Sequence, residues 1–195
     1  GLYSARAGSI FSRVDSPAFG FTVDCANLAF DLDDPIRLAK IMAPHALTTH
    51  YKNYRIIRTK NGLALENCPL GEGDIDIVAI AQILSEAVHE DNPLAPFGKG
   101  EAERSEHNPD INLNIEIHSQ FAPFKLNILD EEFWKKHPAP PGDGLSWYLK
   151  KSWEKDIPET HPANLPDGEE SWELEYENLK LSIRWAKEKL SHILS

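Results

Sequence analysis

The chain has 195 residues, 41% hydrophobic and 26% charged, a balance that fits one domain, 1–195, and excludes a disordered or membrane-spanning polypeptide. Its 20 Lys and Arg against 31 Asp and Glu give a formal net charge of −11 and a pI near 5.1, a surface that repels phosphate backbones and anionic lipid, so neither nucleic acid nor membrane is an expected partner. No apolar run reaches the ~18 residues needed to cross a bilayer and no basic-then-apolar start reads as a signal peptide, which makes the cytoplasm the expected location.

The segment Gly1 to Val14 reads as the tail of a helix running into a connection, and the single methionine is Met42; both suggest a piece of a longer chain. After the turn cluster Asp15-Ser16-Pro17, residues Phe19 to Asp24 alternate apolar and polar, which predicts a strand ending in a carboxylate. Asp33-Asp34-Pro35 then opens a short helix carrying Ile36, Leu38, Ala39 and Ile41. Ala46 to His50 is a second short strand, and it ends in a histidine. Tyr51 to Gly73 reads as mainly loop, containing a hairpin about Lys60-Asn61-Gly62. Leu70-Gly71-Glu72-Gly73 lacks the Walker lysine and the GxGxxG spacing, so a tight turn is expected there and not a phosphate cradle.

Asp74 or Asp76 caps an amphipathic helix through Ile77, Ile80, Ala81, Leu84 and Val88, and the polar stretch Asp91 to Asp110 reads as a connection. In Ile111 to His118 an aliphatic parity alternates with Asn112, Asn114, Glu116 and His118, which predicts a third strand. Helices near Asp130 to Lys136, Leu145 to Glu154 and Ser171 to Leu194 complete the chain, and the five tryptophans are expected mainly to pack between helices. Cys25 and Cys68 have no CxxC spacing and read as reduced thiols.

Each of the three strands delivers a metal-ligating or acid-base side chain near its carboxyl end: Asp24, His50 and Glu116. Each residue shares its parity with small or polar side chains, a pattern that suits a parallel barrel with an outer helical layer and a central cavity. Two carboxylates and an imidazole can hold a hard or borderline divalent cation. Plainer roles stay open: a strand-end Asp caps turns, a lone His is often structural, and a strand Glu pairs with a lysine.

In order and spacing, Val23-Asp24-Cys25-Ala26-Asn27, Asp33-Asp34-Pro35, Leu47-Thr48-Thr49-His50-Tyr51-Lys52-Asn53, Leu70-Gly71-Glu72-Gly73-Asp74-Ile75-Asp76 and Asn114-Ile115-Glu116 resemble the second half of the xylose-isomerase-like TIM barrels, the sugar phosphate isomerase/epimerase family. The resemblance covers about residues 15 to 118 and implies an α/β chain forming the carboxyl-terminal portion of a (β/α)8 barrel. It further implies that Asp24, His50 and Glu116 are metal ligands of the sixth, seventh and eighth strands. A fourth ligand, a Glu, would lie upstream of Gly1.

The implied reaction is isomerisation or epimerisation of a sugar or related polyol ketone through an enediolate, with Mn or Mg as the cation and Co or Zn also compatible. Glu116 would exchange a proton with substrate carbon. Substrate contacts would come from Asn27, Lys52 and His118, the last being alternatively a further ligand. Asn27 and Asn53 stand where the family often has His and Asp, which removes a proton shuttle and a charge. A dehydratase of the same barrel and a non-catalytic sugar-binding relative therefore stay open as alternatives. Three strands cannot close a barrel, so unpaired sheet edges predict a homo-oligomer or a partner that supplies the missing half, and inactivity of this chain alone.

Overall fold

A computed structural model describes residues 9–10, 13–14, 20–24, 26–89, 113–118, 122–137, 142–154 and 169–193. Strand β1 (Phe21–Val23) buries Phe21 and Val23 and turns Thr22 outward, as the period-2 reading requires. The 3-10 turn Asn27–Asp31 leads to helix α1 (Pro35–Met42). Asp34 is its N-cap, with a carboxylate accepting from the amides of Ile36 (2.8 Å) and Arg37 (3.4 Å), while Pro35 sits in the first turn, where no amide is needed. Leu38, Ala39 and Met42 form the buried face of α1.

Strand β2 (Ala46–Thr49) returns parallel to β1, in the register Phe21↔Ala46, Thr22↔Thr48 and Val23↔Thr49. A β-strand, a helix and a parallel β-strand thus follow one another, as the alternation of elements predicts. The pairing continues beyond β2, because His50 N donates to Val23 O at 3.0 Å.

The hairpin expected about Lys60-Asn61-Gly62 is present, and it takes up most of the segment otherwise read as loop. Strands β3 (Asn53–Thr59) and β4 (Gly62–Cys68) pair antiparallel from Asn53↔Cys68 to Thr59↔Gly62, and β5 (Phe124–Leu126) adds to β4 in the order β3-β4-β5. Alternation is obscured here because both faces are covered: Ile56 and Ile57 are both buried, and so are Leu63, Ala64 and Leu65. The expected turn holds, and Gly62 takes φ +147°, a conformation that disfavours any side chain.

The third strand is a second correction. Among the described residues 113–118, only Ile115 joins a ladder, as a parallel bridge to Tyr51. Tyr51 N donates to Asn114 O (2.7 Å) and Glu116 N to Tyr51 O (2.9 Å), two hydrogen bonds that fix the register without a longer strand. Leu113, Ile115 and Ile117 are only half-buried, so little apolar burial favours extending it. Ile111 and Asn112 lie outside the described residues.

Helix α2 (Ile77–His89) starts where Asp76 accepts from Ala79 N at 3.0 Å, and it buries Ile77, Ile80, Ala81 and Leu84. Helices α3 (Glu131–Lys136), α4 (Gly142–Trp153) and α5 (Glu169–Lys189) follow. Fully buried Tyr148 of α4 donates to Asp33 O at 3.1 Å, and Arg37 ties α4 to α1 by pairing with Asp143 (2.6 Å) and with buried Asp33. Trp134, Trp147 and Trp185 pack on the core as expected of helix-packing residues, whereas Trp153 and Trp172 are 62% and 70% exposed.

The architecture is mixed α/β, with a small parallel sheet and an antiparallel sheet. Among the described residues there is no closed barrel. No described helix is long and apolar enough to cross a membrane.

Candidate functional site

Three neighbouring stretches of backbone run parallel: β1, β2 with its extension to Tyr51, and residues 114–116. Asp24 directly follows β1, His50 directly follows β2, and Glu116 directly follows the bridged Ile115. Parallel pairing puts these three carboxyl ends side by side. Ligand atoms from Asp24, His50 and Glu116 accordingly all lie within 4.8 Å of one another. His50 Nδ1 stands 3.9 Å from Asp24 Oδ2 and 3.5 Å from Glu116 Oε2.

The other three candidates come to the same place. Lys52 Nζ lies 3.0 Å from Asp24 Oδ2 and hydrogen-bonds Glu116 Oε2. His118 Nε2 is 2.8 Å from Glu116 Oε1. Asn27 Nδ2 donates to Asp24 Oδ2 at 2.6 Å, and its backbone amide donates to Asp24 Oδ1 at 3.1 Å. Two of the plainer roles are therefore occupied as well: Asp24 caps a turn, and Glu116 pairs with a lysine.

Depth orders the cluster. Lys52 at 5% and Asp24 at 11% exposure form the floor, while Glu116 and His118, at 32% each, and His50 at 44% face outward. Burial raises the carboxyl pKa of Asp24 despite the opposing charge of Lys52. Burial also works against ionisation of Glu116, but the hydrogen bonds from Lys52 and His118 outweigh it and hold that carboxyl below the usual range. Lys52 does not stand free in solvent as an anion-binding lysine would; its charge is engaged by both carboxylates.

Asn53, expected to leave a charge missing beside the site, has a different task. It is buried, its Nδ2 donates to the carbonyls of Leu70 (2.7 Å) and Ile75 (3.0 Å), and its Oδ1 accepts from the amides of Tyr54 (2.9 Å) and Ile75 (3.0 Å). Two donors and an acceptor on one planar group are what an amide offers and a carboxylate does not. Asn53 thereby clamps the 3-10 turn Leu70–Glu72 to the start of β3, one residue after Lys52.

The glycines of that turn are packing positions. A Cβ on Gly71 would lie 2.3 Å from Trp185 Cδ1, and one on Gly73 would lie 2.1 Å from Asn53 Oδ1. The tight-turn reading of Gly71-Glu72-Gly73 therefore holds.

Sequence reasoning missed a buried neighbour of the site and one of its supports. Tyr54 is 1% exposed, and its phenol is pushed up by burial and then by the nearby carboxylates of Asp24 and Glu116. Asn114 Nδ2 donates to Thr48 Oγ1 at 2.8 Å, joining β2 to the Glu116 segment. The position of Tyr54 in a segment read as loop hid the first. The shared polar parity of Asn114 and Glu116 was the available signal for the second.

No protein-family model, curated protein or solved structure matches the chain. The functional reading therefore rests on the resemblance seen in the sequence and on the geometry of the residues.

Proposed function

We propose that the chain is the carboxyl-terminal portion of a (β/α)8 barrel and carries most of the site of a metal-dependent isomerase or epimerase acting on a sugar or related polyol ketone. The observation that carries this reading is the convergence of Asp24, His50 and Glu116 at three adjacent parallel carboxyl ends, with ligand atoms within 4.8 Å of one another. Two carboxylate oxygens and one imidazole nitrogen form a donor set suited to Mn or Mg, with Co or Zn compatible. When bound, such a cation supplies Lewis-acid polarisation of a carbonyl and its neighbouring hydroxyl.

The chain's own residues supply the rest. Ionised Glu116, at the rim, accepts a proton from the carbon next to the carbonyl, and His118 at 2.8 Å orients its second oxygen. Asn27 fixes Asp24 through two hydrogen bonds and presents its amide to a substrate hydroxyl. Lys52 balances the charge of the two carboxylates from beneath.

The test is exchange of substrate hydrogen with deuterated water in the complete polypeptide. Chelator-treated protein regaining ketose α-hydrogen exchange with Mn, and losing it on Glu116→Gln, supports the reading; no metal-dependent exchange with any ketose or polyol ketone tested counts against it. One observation favours a second reading. Lys52 already holds Asp24 and Glu116, as an internal cation would in a non-catalytic sugar-binding relative. Saturable sugar binding that is indifferent to chelator would select that alternative.

A further inference from the structure

We infer that Lys52 is a built-in counter-cation of this site, and that it limits the affinity of Asp24, His50 and Glu116 for a divalent ion by competing for the same oxygens. The inference rests on the metal-site reading above. Lys52 Nζ is 3.0 Å from Asp24 Oδ2 and hydrogen-bonds Glu116 Oε2. Those same two oxygens are the ones nearest His50 Nδ1, at 3.9 and 3.5 Å. A cation held by the three side chains through these oxygens must displace the ammonium from them or share them with it. In either case a positive charge opposes it at close range.

Lys52 cannot easily retreat. Its side chain is 5% exposed. On one side, Tyr51 is held by hydrogen bonds to residues 114 and 116 at 2.7 and 2.9 Å. On the other, Asn53 is clamped to Leu70 and Ile75 by its amide. The backbone that carries Lys52 is thus fixed on both flanks. Without a divalent ion the lysine also has a use, since it separates two carboxylates that would otherwise repel each other.

The experiment measures Mn2+ binding by the free-Mn2+ electron paramagnetic resonance signal, with calorimetry as a second readout, on wild type, Lys52→Met and Lys52→Arg. Lys52→Met, which keeps much of the stem and removes the charge, is expected to tighten binding on the order of tenfold or more. It should also enlarge the rise in Tm that Mn2+ produces. Lys52→Arg, which keeps the charge, should not tighten binding. Lys52→Gln serves in place of Lys52→Met if the latter does not fold.

Unchanged or weaker binding by Lys52→Met and Lys52→Gln, beside stoichiometric binding by wild type, would overturn the competition and leave the metal site standing. Equal tightening by Lys52→Arg would also overturn it, since charge would not be the cause. If neither wild type nor Lys52→Met binds Mn2+ at millimolar concentration, the metal reading itself fails and the inference falls with it.

Discussion

Replacing Asn53 with Asp, the residue the resemblance leads one to expect, should damage the fold and not restore function. The swap is almost isosteric but deletes both donor bonds, to Leu70 O at 2.7 Å and Ile75 O at 3.0 Å, and sets a carboxylate oxygen against two carbonyl oxygens. Ile75 O also accepts from Ile77 N at 2.9 Å, so the larger loss falls on Leu70. A buried polar group left without its partner costs about 1–3 kcal/mol, which puts Asn53→Asp at about 2–5 kcal/mol. At about 2–4 °C per kcal/mol for a domain of this size, Tm should fall by about 4–20 °C.

The direction with pH follows from the same geometry. Burial beside carbonyl oxygens raises the folded-state pKa of the new carboxyl above its unfolded value of about 3.9, so the native state keeps its proton to higher pH than the unfolded state. The deficit should therefore be largest at neutral pH and shrink as pH falls towards the unfolded value. Urea denaturation followed by circular dichroism at pH 5 and pH 7.5 measures both quantities. A loss below about 0.5 kcal/mol at pH 7.5 would show that Asn53 is not the clamp described.

Gly71→Ala should destabilise by about 1–3 kcal/mol through its collision with Trp185, read as a drop in urea midpoint at unchanged m-value. Burial pushes the Cys68 thiol up to about 12 from an ordinary value of 9.0, so the unfolded chain releases this proton first and stability should decline between those two pH values. In a Cys25→Ala background that decline should be smaller for Cys68→Ala, and a thiol reagent at pH 8 should label Cys68 only after denaturation. On the proposed isomerase reading, Glu116→Gln should lower turnover by about 10²-fold or more, whereas His50→Ala should act on metal affinity and be partly relieved by excess Mn; steady-state kinetics against Mn concentration separates the two.

Legibility in the sequence followed how local each cause was. Asp34-Pro35 announces α1 because a cap and a first-turn proline act within a few residues, and the Asn61-Gly62 turn is equally local. The length of the two hairpin strands on either side of that turn was not legible, because Ile56 with Ile57, and Leu63 through Leu65, are buried without alternation. The third strand erred the other way, since clean alternation over Ile111 to His118 yielded a single bridge in the described part.

All six candidate site residues come together, because each stands at or just beyond the carboxyl end of a paired segment or in the turn that follows it. What spacing could not reveal was pairing: that Lys52 would lie beneath both carboxylates, and that Asn53 would face Leu70 and Ile75 instead of the site. Those partners are fixed by the hairpin and the turn after it, and both are set by distant contacts.

The central claim, that Asp24, His50 and Glu116 hold one divalent ion, is tested most directly by electron spin echo spectroscopy of bound Mn2+. The account expects one ion per chain with a directly coordinated imidazole nitrogen, a coupling that disappears in His50→Ala and survives in His118→Ala. Bound Mn2+ that shows no nitrogen coupling, or a coupling that persists in His50→Ala, would contradict it.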